Sequence, residues 1–193
     1  GEYKKIFPDV ELRTDSKAAG RWNTNYNGEY FASGVGGTVT GRGADLLIID
    51  DPHSEGEAVQ AQFNPDIYDK VFEWYTSGPR QRLQPGGAIV IVMTRWSLRD
   101  LTGQVLEAAA QHGGDTWEVI EFPAILPSGR PLWPEFWSYD ELDAIRKELP
   151  NGKWMAQYQQ EPTSESNAIV KRDWWNTWPH DHPPRIHPCR HGL

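Results

Sequence analysis

Two adjacent carboxylates, Asp50 and Asp51, close the apolar run Asp45-Leu46-Leu47-Ile48-Ile49-Asp50-Asp51-Pro52. One such carboxylate can hold a magnesium ion while its neighbour orients or deprotonates a water, as nucleotide hydrolases do when water attacks a phosphate. The same residues would also serve as a plain strand that stops at a turn, because Asp followed by Pro is ordinary turn chemistry. The octapeptide alone does not separate the two readings, and a second run does. Ala88-Ile89-Val90-Ile91-Val92-Met93 follows the turn Pro85-Gly86-Gly87 and ends at once in Thr94-Arg95-Trp96. A hydroxyl and a guanidinium at the tip of a strand neighbouring the carboxylate strand supply a hydrogen-bonding group and a fixed positive charge for phosphate.

These groups need elements that bring them together. Four consecutive apolar residues, Leu46 to Ile49, suit a strand buried on both faces of a parallel sheet, with the carboxylates emerging at its C-terminal end, where such sheets bind ligands. Short β elements are expected earlier, at Val10–Arg13 and Gly28–Ser33. Residues 55–82 read as helix, with Val59, Phe63, Ile67, Val71 and Tyr75 at spacings of four and Pro65 breaking it near its start. Val71, Phe72 and Trp74 are expected in the core. Ser97-Leu98-Arg99-Asp100 begins a capped helix running through Leu101, Val105 and Leu106 toward Gly113. Trp117–Phe122 reads as a further strand ended by Pro123. Beyond it, Pro123, Pro127, Pro131 and Pro134 mark a connector, followed by helices from Ser138 through Leu149 and from Lys153 to Gln160.

Three segments in this order resemble the large terminase subunits of tailed bacteriophages, ATP-driven DNA-packaging motors that carry a nuclease domain. Thr40-Gly41-Arg42-Gly43-Ala44-Asp45 leading into Leu46–Pro52 is similar to the Walker B segment, Val92-Met93-Thr94-Arg95-Trp96 to the coupling motif, and Met155–Pro162 to the segment joining ATPase to nuclease. The resemblance implies an α/β fold: a partial P-loop NTPase core of the ASCE type with a mainly parallel sheet, followed by a small helical linker subdomain. Residues 1–122 would be the C-terminal half of the ATPase core, 123–165 the linker, and 166–193 the start of the nuclease domain, cut short by a disordered tail. It implies ATP and Mg²⁺ as cofactors. It implies double-stranded DNA, the terminase small subunit, the portal protein and a homo-oligomeric ring as partners, in the host cytoplasm.

The same resemblance assigns roles. Asp50 would hold Mg²⁺ and nucleotide, Asp51 would orient the attacking water, and Thr94 would sense the nucleotide and pass its state to the linker. Many members of the wider class have Glu where this chain has Asp51, one methylene longer. Arg42 is either a finger reaching a phosphate in a neighbouring subunit or a solvated turn residue. Arg95 is expected on phosphate, or paired with Asp50 or Asp51, and His53 at the surface.

No G-x-x-x-x-G-K-[ST] loop occurs in the sequence. The glycines between Gly34 and Gly43 lack the lysine and stand too close to the carboxylate strand for an intervening helix, so they read as hairpin and turn glycines. In the resembled family the phosphate loop lies upstream, so the chain, which opens at Gly1 without Met, is expected to be an internal fragment, inert alone. A fragment missing its central strand would expose apolar sheet edges and self-associate.

Composition sets outer limits. The 193 residues carry a net charge of −8, which argues against a uniformly basic nucleic-acid coat and leaves room only for a local basic strip facing DNA. The single Cys189 rules out an internal disulfide and fits a reducing compartment. No apolar stretch reaches the ~20 residues of a membrane helix, and no signal peptide opens the chain, so no membrane partner is expected. The closing run from His180 to His191 holds four His and one Cys at spacings that match no common zinc pattern. A tail thrown out of register by a frameshift or premature stop is the expected explanation. Two readings outside the packaging motor stay open: another helicase-like ATPase, and a non-catalytic assembly or DNA-binding module that kept the fold and lost the chemistry.

Overall fold

A computed structural model describes residues 2–163 other than Thr38 and Thr40. The expected nuclease start and the His-rich tail lie outside the described residues.

The chain is mixed α/β. After a short helix α1 (Glu2–Ile6), strands β1 (Leu12–Ala18), β2 (Arg21–Thr24) and β3 (Glu29–Phe31) form an antiparallel sheet in that order. Trp22 faces Tyr30 across the β2–β3 pair, and their rings stack at 4.7 Å. The second sheet is parallel and joins β4 (Ala44–Asp50) to β5 (Leu83–Val92) through α2 (Glu55–Ala61), α3 (Asp66–Ser77) and a 3₁₀ turn, Pro79–Arg82. Leu47, Ile48, Ile49 and Asp50 stand opposite Ile89, Val90, Ile91 and Val92. The two apolar runs are therefore in register, and their polar tips emerge side by side.

The expected helix over 55–82 is two helices, broken at Pro65, which lacks the N–H that a continuing turn would need. α2 opens on a capping box in which Ser54 and Glu57 satisfy each other's backbone amides. β5 begins earlier than expected and takes in Pro85–Gly87, with Gly86 at φ 81° and a register shift between Ala44 and Leu46.

Burial on both faces of the parallel sheet is not what the structure shows. Ile49 packs into a core with Val71 and Tyr75 of α3 and with Leu101 and Val105 of α4 (Leu101–His112), with Leu47, Ile89 and Ile91 around it. The alternate residues point the other way, and Leu46 and Ile48 are 55% and 60% exposed. Among the described residues one layer of helices covers this sheet, so period-2 alternation leaves the second apolar face bare there.

The strand expected over Trp117–Phe122 does not form either, since residues 113–123 hold no regular structure. A groove of about 920 Å³ separates β5 from residues 115–122. The rail of residues 115–122 pairs with no strand among the described residues, β5 pairs there with β4 alone, and Val119, Ile120 and Phe122 are exposed.

The proline-rich segment after Phe122 folds back on itself. Ile125 bridges Pro131, and the Gln159 amide clamps Ile125 by accepting from its N–H and donating to its carbonyl, both at 3.0 Å. α5 (Tyr139–Glu148) opens on a Ser138–Glu141 capping box. α6 (Asn151–Lys153) runs into a π-helical turn, Trp154–Tyr158, where a plain helix was expected. No helix among the described residues is long and apolar enough to cross a membrane.

Candidate functional site

Asp50 is the last residue of β4, and its exposed carboxylate has no hydrogen-bond or ionic partner among the described residues. At Asp51 the chain turns sharply, with φ at 41° in the left-handed region that Asp tolerates better than most residues. The Asp51 amide donates to the Val92 carbonyl at 2.8 Å, extending the ladder by one bond. Its Oδ1 in turn accepts the Thr94 amide at 3.1 Å. The structure thus brings Asp51 and Thr94 together across the tips of neighbouring strands, with Asp50 beside them.

The two arginines go elsewhere. Arg95 does not pair with Asp50 or Asp51. Its Nε reaches Asp100 at 2.9 and 3.2 Å, and its Nη2 donates to the Ser97 carbonyl at 3.4 Å. Arg42 binds the Glu29 carboxylate, and its guanidinium lies 4.7 Å from the centroid of the Phe31 ring. Both of its partners belong to β3, so the antiparallel sheet holds Arg42.

Asp100 is the residue that sequence reasoning missed. It is fully buried, at 0% exposure. Besides Arg95, it accepts the amides of Trp96 at 2.9 Å, Ser97 at 3.2 Å and Gly103 at 2.9 Å. It is thereby the N-cap of α4, three residues after Ser97, where the cap was expected. The signal was present, because Asp100 directly precedes the first apolar helical residue, Leu101.

His53 is also misplaced by the sequence reading, since the structure buries it at 3% exposure. Its Nε2 accepts the Leu101 amide at 2.9 Å, and its ring meets Tyr68 edge-on at 5.0 Å. Burial pushes the imidazole below its ordinary value of 6.5, opposed by the charges of Asp100 and Glu57. The same apolar surroundings push the Tyr68 hydroxyl up to about 12.

No cluster of three or more His, Cys, Asp or Glu among the described residues could hold a metal ion. A single free carboxylate still suits magnesium, which keeps several waters and is commonly bound by one or two carboxylates together with substrate phosphates. Asp50 meets that requirement, as an exposed carboxylate with no competing partner. A small cavity of about 70 Å³ is lined by Ala58 of α2, Tyr68 of α3, Trp96 and Ser97 of the loop after Thr94, and Gly152 and Ala156 of the C-terminal helical segment.

In comparisons with known proteins, no family profile matches the chain and no curated protein is significantly similar to it.

Proposed function

We propose that this chain is the Walker B and coupling part of a terminase large subunit, the ATP-hydrolysing motor that drives viral DNA into procapsids. The observation that carries the reading is the Thr94 amide seated on the Asp51 carboxylate at the C-terminal ends of two parallel strands. In a P-loop NTPase core that position faces the γ-phosphate. Asp50 would hold Mg²⁺, which would neutralise charge on the β- and γ-phosphates, and Asp51 would orient the attacking water. Thr94, hydrogen-bonded to Asp51 through its amide, would register whether a phosphate is present. Trp96, two residues on, lines a cavity together with Gly152 and Ala156 of the segment that this reading takes as the linker, and contact there would pass the signal on. Double-stranded DNA, the small subunit, the portal and further copies of the subunit in a ring are the partners this reading carries, in the host cytoplasm.

Phosphoryl transfer also needs cations near the transferred group, and a phosphate loop would supply the first. The test is Mg²⁺-dependent ATP hydrolysis by this chain and by a version extended upstream through a phosphate loop. The reading expects hydrolysis only in the extended protein. Hydrolysis by the short chain would put the phosphate site elsewhere.

One observation favours the second reading, a non-catalytic assembly module of the same fold. Arg95 and Arg42 are both committed to carboxylates, Asp100 and Glu29. An extended protein that binds DNA or portal and never hydrolyses ATP would support that reading.

A further inference from the structure

His53 occupies the turn that carries the carboxylates, two residues beyond Asp51, yet its side chain reaches into a different element. The Leu101 amide that it accepts is the first of α4, one of the N–H groups that the helix itself cannot satisfy. Asp100 satisfies the Gly103 amide in the same turn and, on its other side, gathers the Trp96 and Ser97 amides of the loop that follows Thr94. The β4 turn is thus joined to the β5 tip directly by the Asp51–Thr94 bond and indirectly by His53 through α4.

The chemistry of the ring fixes its protonation. An imidazole nitrogen that accepts carries no proton, so the neutral ring keeps its proton on Nδ1, and an imidazolium could not accept the Leu101 amide at all. Nδ1 is buried and has no hydrogen-bond partner among the described residues. The groups facing the ring are Tyr68 from α3, Glu57 from α2 and Asp100 at the start of α4. None of them accepts the Nδ1 proton.

We propose that His53 is a positioning residue, which by accepting the first amide of α4 holds the loop after β5 in place and so keeps Thr94 seated on Asp51. The proposal deepens the reading of Asp51 and Thr94 as a nucleotide site, but the linkage exists without nucleotide and is measured without it.

The experiment is amide hydrogen exchange on the 193-residue chain and on two variants. His53→Gln retains an acceptor at about the reach of Nε2, and His53→Phe retains the ring against Tyr68 but accepts nothing. The net worth of one hydrogen bond predicts that the Leu101 and Thr94 amides exchange about tenfold faster in His53→Phe. Both should stay near the parent rate in His53→Gln, and Val71 and Val105 in the core should be unchanged in both variants. Thr94 protection that is the same in His53→Phe as in the parent would overturn the proposal. So would equal loss of Thr94 protection in both variants, which would mean that ring packing rather than acceptance matters. Nitrogen-15 shifts of the parent imidazole provide a test that does not depend on either variant folding: a bare, hydrogen-bonded Nε2 with a protonated Nδ1 is expected, and a protonated Nε2 overturns the assignment. Failure of the nucleotide reading, seen as no Mg²⁺-dependent ATP hydrolysis by the extended protein, would leave these exchange results intact.

Discussion

The Thr94 amide donates to Asp51 Oδ1 at 3.1 Å while the Asp51 amide donates to the Val92 carbonyl at 2.8 Å. The second bond aligns the strand tips and the first closes the gap beyond them. Asp51→Asn keeps a side-chain oxygen for the Thr94 amide, whereas Asp51→Ala removes it. Faster exchange at Thr94 is therefore expected in Asp51→Ala and not in Asp51→Asn, and equal exchange in the two would show that the bond does not hold the loop.

Asp100 carries the largest expected stability effect. Its removal strands the Arg95 guanidinium, which is 13% exposed, together with three backbone amides. Breaking one side of a buried ion pair typically costs about 3–5 kcal/mol. Urea unfolding of Asp100→Ala should show a loss of that order, and a loss below about 1 kcal/mol would contradict the role assigned to it.

Gly103 sits where α4 passes under the preceding loop, and an added Cβ would lie 2.0 Å from the Leu98 carbonyl oxygen. Backbone cannot swing aside as a side-chain tip can. Gly103→Ala should destabilise the protein by about 1–3 kcal/mol despite its better helix propensity, as read by thermal unfolding.

The pH dependence of stability follows from His53. Its folded-state value is lowered, so between that value and 6.5 the unfolded chain binds more protons than the folded one. The contribution is complete above pH 6.5 and is lost as pH falls toward the folded value, with a slope of at most about 1.4 kcal/mol per pH unit. Urea midpoints between pH 5 and 8 should fall toward the acid side in the parent more steeply than in His53→Gln. Parallel curves would contradict it.

Leu46 and Ile48 on the bare sheet face, with the strandless rail of Val119, Ile120 and Phe122, predict concentration-dependent self-association. Sedimentation velocity should show it, and Ile48→Lys should reduce it. A monodisperse monomer at high concentration would argue that this face needs no cover.

What the sequence made legible is what depends on neighbouring residues in the chain. The apolar runs ending in Asp50-Asp51 and Thr94-Arg95 announced two strands with chemistry at their tips, and the Ser138–Glu141 pair announced the start of α5. Partnerships decided by tertiary packing were not legible. Two carboxylates on the neighbouring strand seemed the natural mates for Arg95, yet the turn after it returns Asp100 to the guanidinium first. His53 follows a turn signal that ordinarily marks the surface, and only the packing of α3 and α4 against that turn buries it. Trp117–Phe122 has strand composition, but a strand exists only where a neighbour pairs with it, and none does among the described residues.

The central claim, that Asp50 and Asp51 serve different steps at one nucleotide site, is tested most directly in the extended protein by comparing Asp50→Ala with Asp51→Asn for Mg²⁺-dependent ATP hydrolysis and Mg²⁺·ATP affinity. The account predicts that Asp51→Asn lowers kcat by about 10²-fold or more with affinity kept, as loss of a general base does. Asp50→Ala should lower kcat and weaken Mg²⁺·ATP binding together. Wild-type hydrolysis in Asp50→Ala would contradict the account.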